Sequence, residues 1–164
     1  MLMSISAPDR RGFLSSAALA VLATACGSPP SRAAERFPFS MSEAEWRKRL
    51  SPAAYVVLRE ADTERPYSSP LNKEKRKGIF TCAGCDLPLF LSSTKFESGT
   101  GWPSFYDVRK NAVVERVDTT LGMKRTEILC RRCGGHLGHV FDDGPPPTGL
   151  RYCMNGVAMK FRPA

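Results

Sequence analysis

Two short cysteine pairs, Cys82-Ala83-Gly84-Cys85 and Cys130-Arg131-Arg132-Cys133, restrict the fold of this chain more than any other feature of the sequence. Each is a C-x-x-C knuckle that follows a β-rich run, and two knuckles supply the four thiolates that a tetrahedral zinc ion takes. Gly84 and the Gly134-Gly135 pair provide for the turns. The pairs lie farther apart than in an ordinary zinc ribbon, so the fold rather than one hairpin must bring them together. Two disulfides, or one redox-active pair, form the alternative that an oxidising compartment would allow. The doubled pattern favours one structural Zn2+ on Cys82, Cys85, Cys130 and Cys133. Such a site has no open coordination position, so zinc would staple the fold and the chemistry must lie elsewhere.

Of the six cysteines, Cys153 is left over in Arg151-Tyr152-Cys153-Met154-Asn155, and Cys26 near the N-terminus. A thiol is nucleophilic as its thiolate, and a guanidinium two residues away is expected to lower the pKa of Cys153. The only two histidines stand together in His136-Leu137-Gly138-His139-Val140-Phe141, followed by Asp142 and Asp143. Imidazoles and carboxylates of this kind orient groups and transfer protons. Taken alone, either histidine could equally be structural or replace a zinc ligand. A third segment, Gly99-Thr100-Gly101-Trp102-Pro103-Ser104-Phe105, presents a Trp on a glycine-flanked turn, where it could wall an apolar pocket.

Hydrophobic residues make up 42% and charged residues 24% of 164, as in a soluble protein with one core. The net charge of +8 raises the question of nucleic acid. The basic residues are scattered, however, and the one cluster, 73–77, reads as a solvated loop, so no nucleic-acid partner is expected. Ser42-Glu43-Ala44-Glu45 has the spacing of a capping box before Trp46 and Leu50, and Ser51-Pro52 opens a second helix with Tyr55, Val56, Leu58 and Ala61 as its apolar set. From Gly78 onward short β-rich runs follow one another: Ile79–Cys82, Leu89–Leu91, Ala112–Val117, Glu127–Cys130, Leu137–Phe141, Leu150–Met154 and Val157–Phe161. The predicted fold is mainly β and antiparallel, with short N-terminal helices packed against it.

The N-terminus reads differently. Arg10-Arg11-Gly12-Phe13-Leu14 resembles a twin-arginine export motif, and the apolar run from Phe13 to Cys26 is too short to span a bilayer comfortably. Residues 1–25 are therefore a predicted signal peptide, 26–36 a flexible linker, and 37–164 the folded domain. Leu22-Ala23-Thr24-Ala25-Cys26-Gly27 looks like a lipoprotein box, which would make Cys26 a lipid attachment site and membrane tether. Simple cleavage near Ala25, or after Ala33-Ala34, is the alternative and would give a soluble periplasmic protein. Either outcome locates the chain in the periplasm or cell envelope.

Taken together, CAGC, SGTGWPSF, CRRCGGHLGHVFDDGPPPTGLRYC and MNGVAMKF resemble the B-type peptide methionine-R-sulfoxide reductases over nearly all of residues 41–164. The resemblance implies a β-tent-like fold of two antiparallel sheets with structural zinc, acting on oxidised proteins or free methionine-R-sulfoxide; a monomer is expected. It implies that Cys153 attacks the sulfoxide sulfur, releasing methionine and leaving a sulfenic acid. It gives His139 the sulfoxide oxygen, with His136 and Asp143 assisting. Arg151 is implied to favour the thiolate, Asn155 to hold a polar group of substrate, and Trp102 with Phe141 to receive the substrate methyl end. Many relatives carry, where this chain has Thr100, a cysteine that resolves the sulfenic acid as a disulfide. That route is closed here. Direct reduction by a thioredoxin-like or other thiol is the favoured alternative, and a disulfide with unlipidated Cys26 the other. Two different readings compete: a zinc-ribbon interaction module, which leaves Cys153, the histidines and Trp102 without a task, and a peroxide-reducing thiol enzyme.

Overall fold

Two capped helices precede the strands in the computed structural model, which describes residues 37–164. The predicted export segment, the linker and Cys26 lie outside the described residues. Helix α1 (Glu43–Arg49) starts at the capping box read from the sequence, with Ser42 and Glu45 each bonding the other's backbone. Helix α2 (Pro52–Glu60) starts at Ser51, whose hydroxyl accepts from Ala54 N, with Pro52 in the first turn. Its buried face is Ala54, Tyr55, Val57 and Leu58. Val56 is only partly buried, and Ala61 is the left-handed cap (φ 58°) rather than a member of the helix. No helix among the described residues is long and apolar enough to cross a membrane.

Nine strands follow: β1 (Gly78–Cys82), β2 (Pro88–Leu91), β3 (Lys95–Phe96), β4 (Ser104–Phe105), β5 (Val113–Asp118), β6 (Arg125–Cys130), β7 (His136–Phe141), β8 (Arg151–Met154) and β9 (Met159–Pro163). They form two antiparallel sheets, of order β2-β1-β9 and β3-β4-β8-β7-β6-β5. The predicted runs correspond to seven of the nine. Val157 lies in a 3-10 turn (Gly156–Ala158) and β9 begins after it. β3 and β4 have two residues each, too few to show an alternating period, and exist because β4 pairs with β8.

The core lies between the sheets. Phe105 of β4 stacks on Phe90 of β2 with centroids 4.3 Å apart and meets Phe80 of β1 edge-on at 4.9 Å. All three are fully buried, along with Leu89, Ile128 and Leu137. Ring contacts of this kind add roughly 0.5–1.5 kcal/mol to the burial itself. They anchor the short β4 beside β8, which carries Cys153.

Candidate active site

The two cysteine knuckles join the two sheets, one leaving β1 and the other β6. At the first knuckle Cys82 N bonds Leu87 O and Asp86 N bonds Cys82 O, both at 2.9 Å. At the second, Cys130 N bonds Gly135 O and Gly134 N bonds Cys130 O, both at 2.8 Å. The two loops are thus the same turn built twice. The left-handed position is Asp86 (φ 60°) in one and Gly134 (φ 68°) in the other, so Gly84 does not supply the turn that was expected of it. All four sulfurs are buried and lie within 4.8 Å of one another, with Cys82–Cys133 at 3.7 Å and Cys85–Cys130 at 3.5 Å. A tetrahedron of thiolates about 2.3 Å from zinc has edges of roughly 3.8 Å, so the quartet is positioned to bind one zinc ion. Hydrogen bonding within it raises the thiols of Cys82 and Cys133 and lowers those of Cys85 and Cys130. Protons shared in that way are what a dication would displace.

The second constellation lies on the six-stranded sheet. Residues directly opposite in antiparallel register share a face. One such row runs Arg116, Glu127, His139, Cys153, Ser104, Phe96 across β5, β6, β7, β8, β4 and β3. Cys153 therefore sits between an imidazole and a hydroxyl. Its sulfur is 3.8 Å from Thr100 Oγ1, which is linked through Ser98 (2.8 Å) to Ser104 (2.7 Å). A cleft of about 420 Å³, including its open mouth, is lined by Cys153, His139, Trp102, Phe141, Asn155, Gly138, Thr63 and Arg125.

Trp102 is held from behind: its Nε1 donates to Glu64 O at 3.0 Å. The turn before it needs glycine, since Gly101 has φ 95° and a Cβ there would lie 2.7 Å from Pro66. Phe141 completes the apolar wall, with the Arg151 guanidinium 4.4 Å over its ring.

The polar residues divide. Arg151 makes two 2.8 Å bonds to Asp143, which is exposed and bonded to neither histidine. Burial is the largest influence on Cys153 and pushes its thiol up, against the lowering contributions of Thr100, Arg151 and Ser104. The expectation of a lowered thiol is therefore corrected: removal from water outweighs the nearby guanidinium. Asn155 is almost fully buried; its amide donates to Leu137 O and its carbonyl accepts from Glu64 N. It ties the backbone at Glu64 to β7 at the wall of the cleft.

The carboxylates that do meet the imidazoles went unread in the sequence. His136 Nδ1 is 2.7 Å from Glu127, with both side chains buried. His139 Nε2 is 2.8 Å from Asp118 Oδ2, which also accepts from Arg125 at 2.7 Å. Burial is the main cause of a lowered His139 pKa, partly offset by its hydrogen bond to Asp118. Glu64 also went unread, although its carboxylate accepts from Gly156 N and Val157 N. None of these pairs has a short sequence spacing. The signal is the strand register, which becomes visible once the pairing is known.

The profile of the SelR domain matches residues 50–163. The peptide methionine sulfoxide reductase MsrB of Agrobacterium fabrum is 58% identical over 123 residues, covering 74% of this chain and 91% of that protein. MsrB of Methanosarcina barkeri is 57% identical over 122 residues, 74% of this chain and 86% of its own. The chain belongs to the MsrB family. MsrB of Leptospira interrogans, 51% identical over 127 residues, aligns over 97% of its length, so the MsrB match takes in both knuckles, the Trp102 turn and the Cys153 strand. The family resemblance carried by the sequence motifs is thereby borne out.

Proposed function

We propose that this chain is a peptide-methionine (R)-S-oxide reductase, which returns methionine-R-sulfoxide, free or in oxidised proteins, to methionine at the expense of a thiol. The observation that carries the reading is the pairing of Cys153 with His139 across β7 and β8, in a cleft walled by Trp102 and Phe141. The methyl end of the substrate lies on the indole and the sulfoxide oxygen points to His139. Only one configuration at sulfur satisfies both contacts while leaving the sulfur open to Cys153, which is the source of epimer selection.

In the reaction, the Cys153 thiolate attacks the substrate sulfur. The S–O bond breaks, the oxygen passes to the Cys153 sulfur with one proton, and methionine leaves: thiolate, sulfoxide and a proton give sulfenic acid and thioether. His139 carries the proton to the oxygen. Burial raises the Cys153 thiol and lowers the His139 imidazole, and a proton released by the thiol can pass through the imidazole to the oxygen. Two external thiols then reduce the sulfenic acid to thiol and water, forming their own disulfide. Support for direct reduction by a thioredoxin-like protein or small thiol is the hydroxyl of Thr100, which stands beside Cys153 where a resolving thiol would be needed. Cys82, Cys85, Cys130 and Cys133 would hold a zinc ion, which would tie the two sheets together as a structural staple.

The twin arginine and the Cys26 box support repair in the cell envelope by a monomer that is either tethered or free. Treatment of the enzyme with sulfoxide in the absence of reductant tests the chemistry. One methionine per chain and a gain of one oxygen on Cys153, trapped by dimedone, are expected; an intramolecular disulfide would contradict direct reduction.

A further inference from the structure

We infer that Glu64 is a positioning residue for substrate selection: its carboxylate fastens residues 61–69 to the turn after β8, which sets the Trp102 indole at the depth that admits a methyl group. The inference rests on the reductase reading above and extends it to a side chain that does not line the cleft.

Residues 61–69 run from α2 to a 3-10 turn at Pro70–Lys73 without helix or strand, so bonds outside any ladder must hold them in place. Glu64 makes four such bonds. Its N–H donates to Asn155 Oδ1 and its carbonyl accepts from Trp102 Nε1, each at 3.0 Å. Its carboxylate accepts from Gly156 N through Oε1 at 2.5 Å and from Val157 N through Oε2 at 3.1 Å. Those two amides open the 3-10 turn Gly156–Ala158, and the residue before it, Asn155, makes no side-chain capping bond. Amides at the start of a helical turn have no partner within it, and Glu64 supplies one from a distant part of the chain. The approach depends on glycine: a Cβ on Gly156 would lie 1.9 Å from Ser69 Oγ and 3.3 Å from Glu64 Oε1.

Tyr67 attaches the same segment a second time, its N–H donating to Gly101 O and its hydroxyl to Gly99 O, both at 2.7 Å. Tyr67 thus holds the glycine turn before Trp102, and Glu64 holds the indole. Burial pushes the Glu64 carboxyl up, and the bonds that oppose this come from the two amides rather than from a cation. A half-buried carboxylate of that kind is a poor device for stability. It is a good device for orientation, because both oxygens accept at once and fix the side chain's torsions. Misplacement by about 1 Å near a reacting centre can cost on the order of a hundredfold in rate, and a pocket discriminates one methylene by roughly tenfold to two-hundredfold. The depth of the indole therefore decides between a methyl and an ethyl group on the substrate sulfur.

The test offers the full chain, with dithiothreitol, a peptide methionine-R-sulfoxide and its S-ethyl homologue, the ethionine sulfoxide. The wild type is expected to prefer the methyl substrate by about tenfold or more in kcat/KM. Glu64→Gln keeps the size of the side chain but turns an NH2 group toward one of the two amides, which it cannot satisfy. In that variant the preference should fall by at least about threefold and KM for the methyl substrate should rise. Trp102→Phe keeps an aromatic wall without the Nε1 donor, and in that background Glu64→Gln should change the preference no further. A mere loss of folded enzyme lowers kcat for both substrates alike and leaves their ratio and KM unchanged. An unchanged ratio in Glu64→Gln would overturn the inference, and so would an equal fall in the Trp102→Phe background. NMR gives a readout apart from activity. The chain has two tryptophans, and the indole N–H signal missing in Trp102→Phe is that of Trp102. It should exchange slowly with solvent in the wild type and rapidly in Glu64→Gln. Rapid exchange in the wild type would overturn the inference even if no variant at position 64 folds. Failure of the wild type to reduce either sulfoxide would instead sink the reductase reading, and the indole exchange would still decide whether Glu64 holds Trp102.

Discussion

Cys153 and Thr100 make the sharpest residue-scale case. The Thr100 hydroxyl, 3.8 Å from Cys153 Sγ, occupies the place from which a second thiol could bond with little backbone movement. Thr100→Cys should therefore give, after one turnover without reductant, a disulfide between position 100 and Cys153, seen as a loss of two hydrogens by mass spectrometry in place of the trapped sulfenic acid. The Arg151 guanidinium still favours the thiolate, although burial prevails. Arg151→Gln should raise the Cys153 pKa further and slow alkylation at pH 7 by about threefold to tenfold, one pKa unit being a factor of ten in thiolate. Cys153, His139, Trp102 and the four metal cysteines were legible as residues, because their types are rare and their motifs short. Asp118 and Glu127 were not, because a carboxylate one or two strands away from its imidazole leaves no trace in sequence spacing. Asp143 showed the reverse error: it is near the histidines in sequence, but in the structure it bonds Arg151.

At the scale of elements, the knuckles and helix starts were readable because each depends on a local rule. Ser51 caps α2, and Ser51→Ala should cost about 1 kcal/mol in a denaturant titration, the ordinary value of an N-cap. The two-residue strands β3 and β4 were unreadable because they are defined by pairing and by Phe105 in the core. The metal cluster joins elements far apart in sequence, one knuckle leaving β1 and the other leaving β6. Cys85→Ser should abolish binding of one zinc per chain and lower the melting temperature strongly, because an unpaired set of buried thiols replaces a filled tetrahedron. Wild-type activity should survive addition of a chelator for as long as the fold does, since no step passes through the metal. Metal content and near-UV circular dichroism, followed together, check both statements.

For the whole molecule, the charge balance predicts how the fold responds to acid. Burial depresses the pKa of His139, so its contribution to stability is present above its ordinary pKa near 6.5 and is lost as pH falls below that value. Asp118 and Asp143, both depressed by their partners, contribute above their ordinary value near 4 and lose that contribution as pH falls further. Release of zinc from protonated thiols acts in the same direction. Melting temperature should accordingly decline below about pH 6 and fall steeply below about pH 4; a flat profile down to pH 3 would contradict this linkage. The proposed reductase relies on a single nucleophile on β8 that reduces one epimer. The direct measurement is to offer the protein, with dithiothreitol, the separate R and S epimers of a peptide methionine sulfoxide, beside its Cys153→Ser variant. Methionine formed from the R epimer alone, and not by the variant, is the expected result. Turnover of the S epimer, or turnover that survives in the variant, would contradict it.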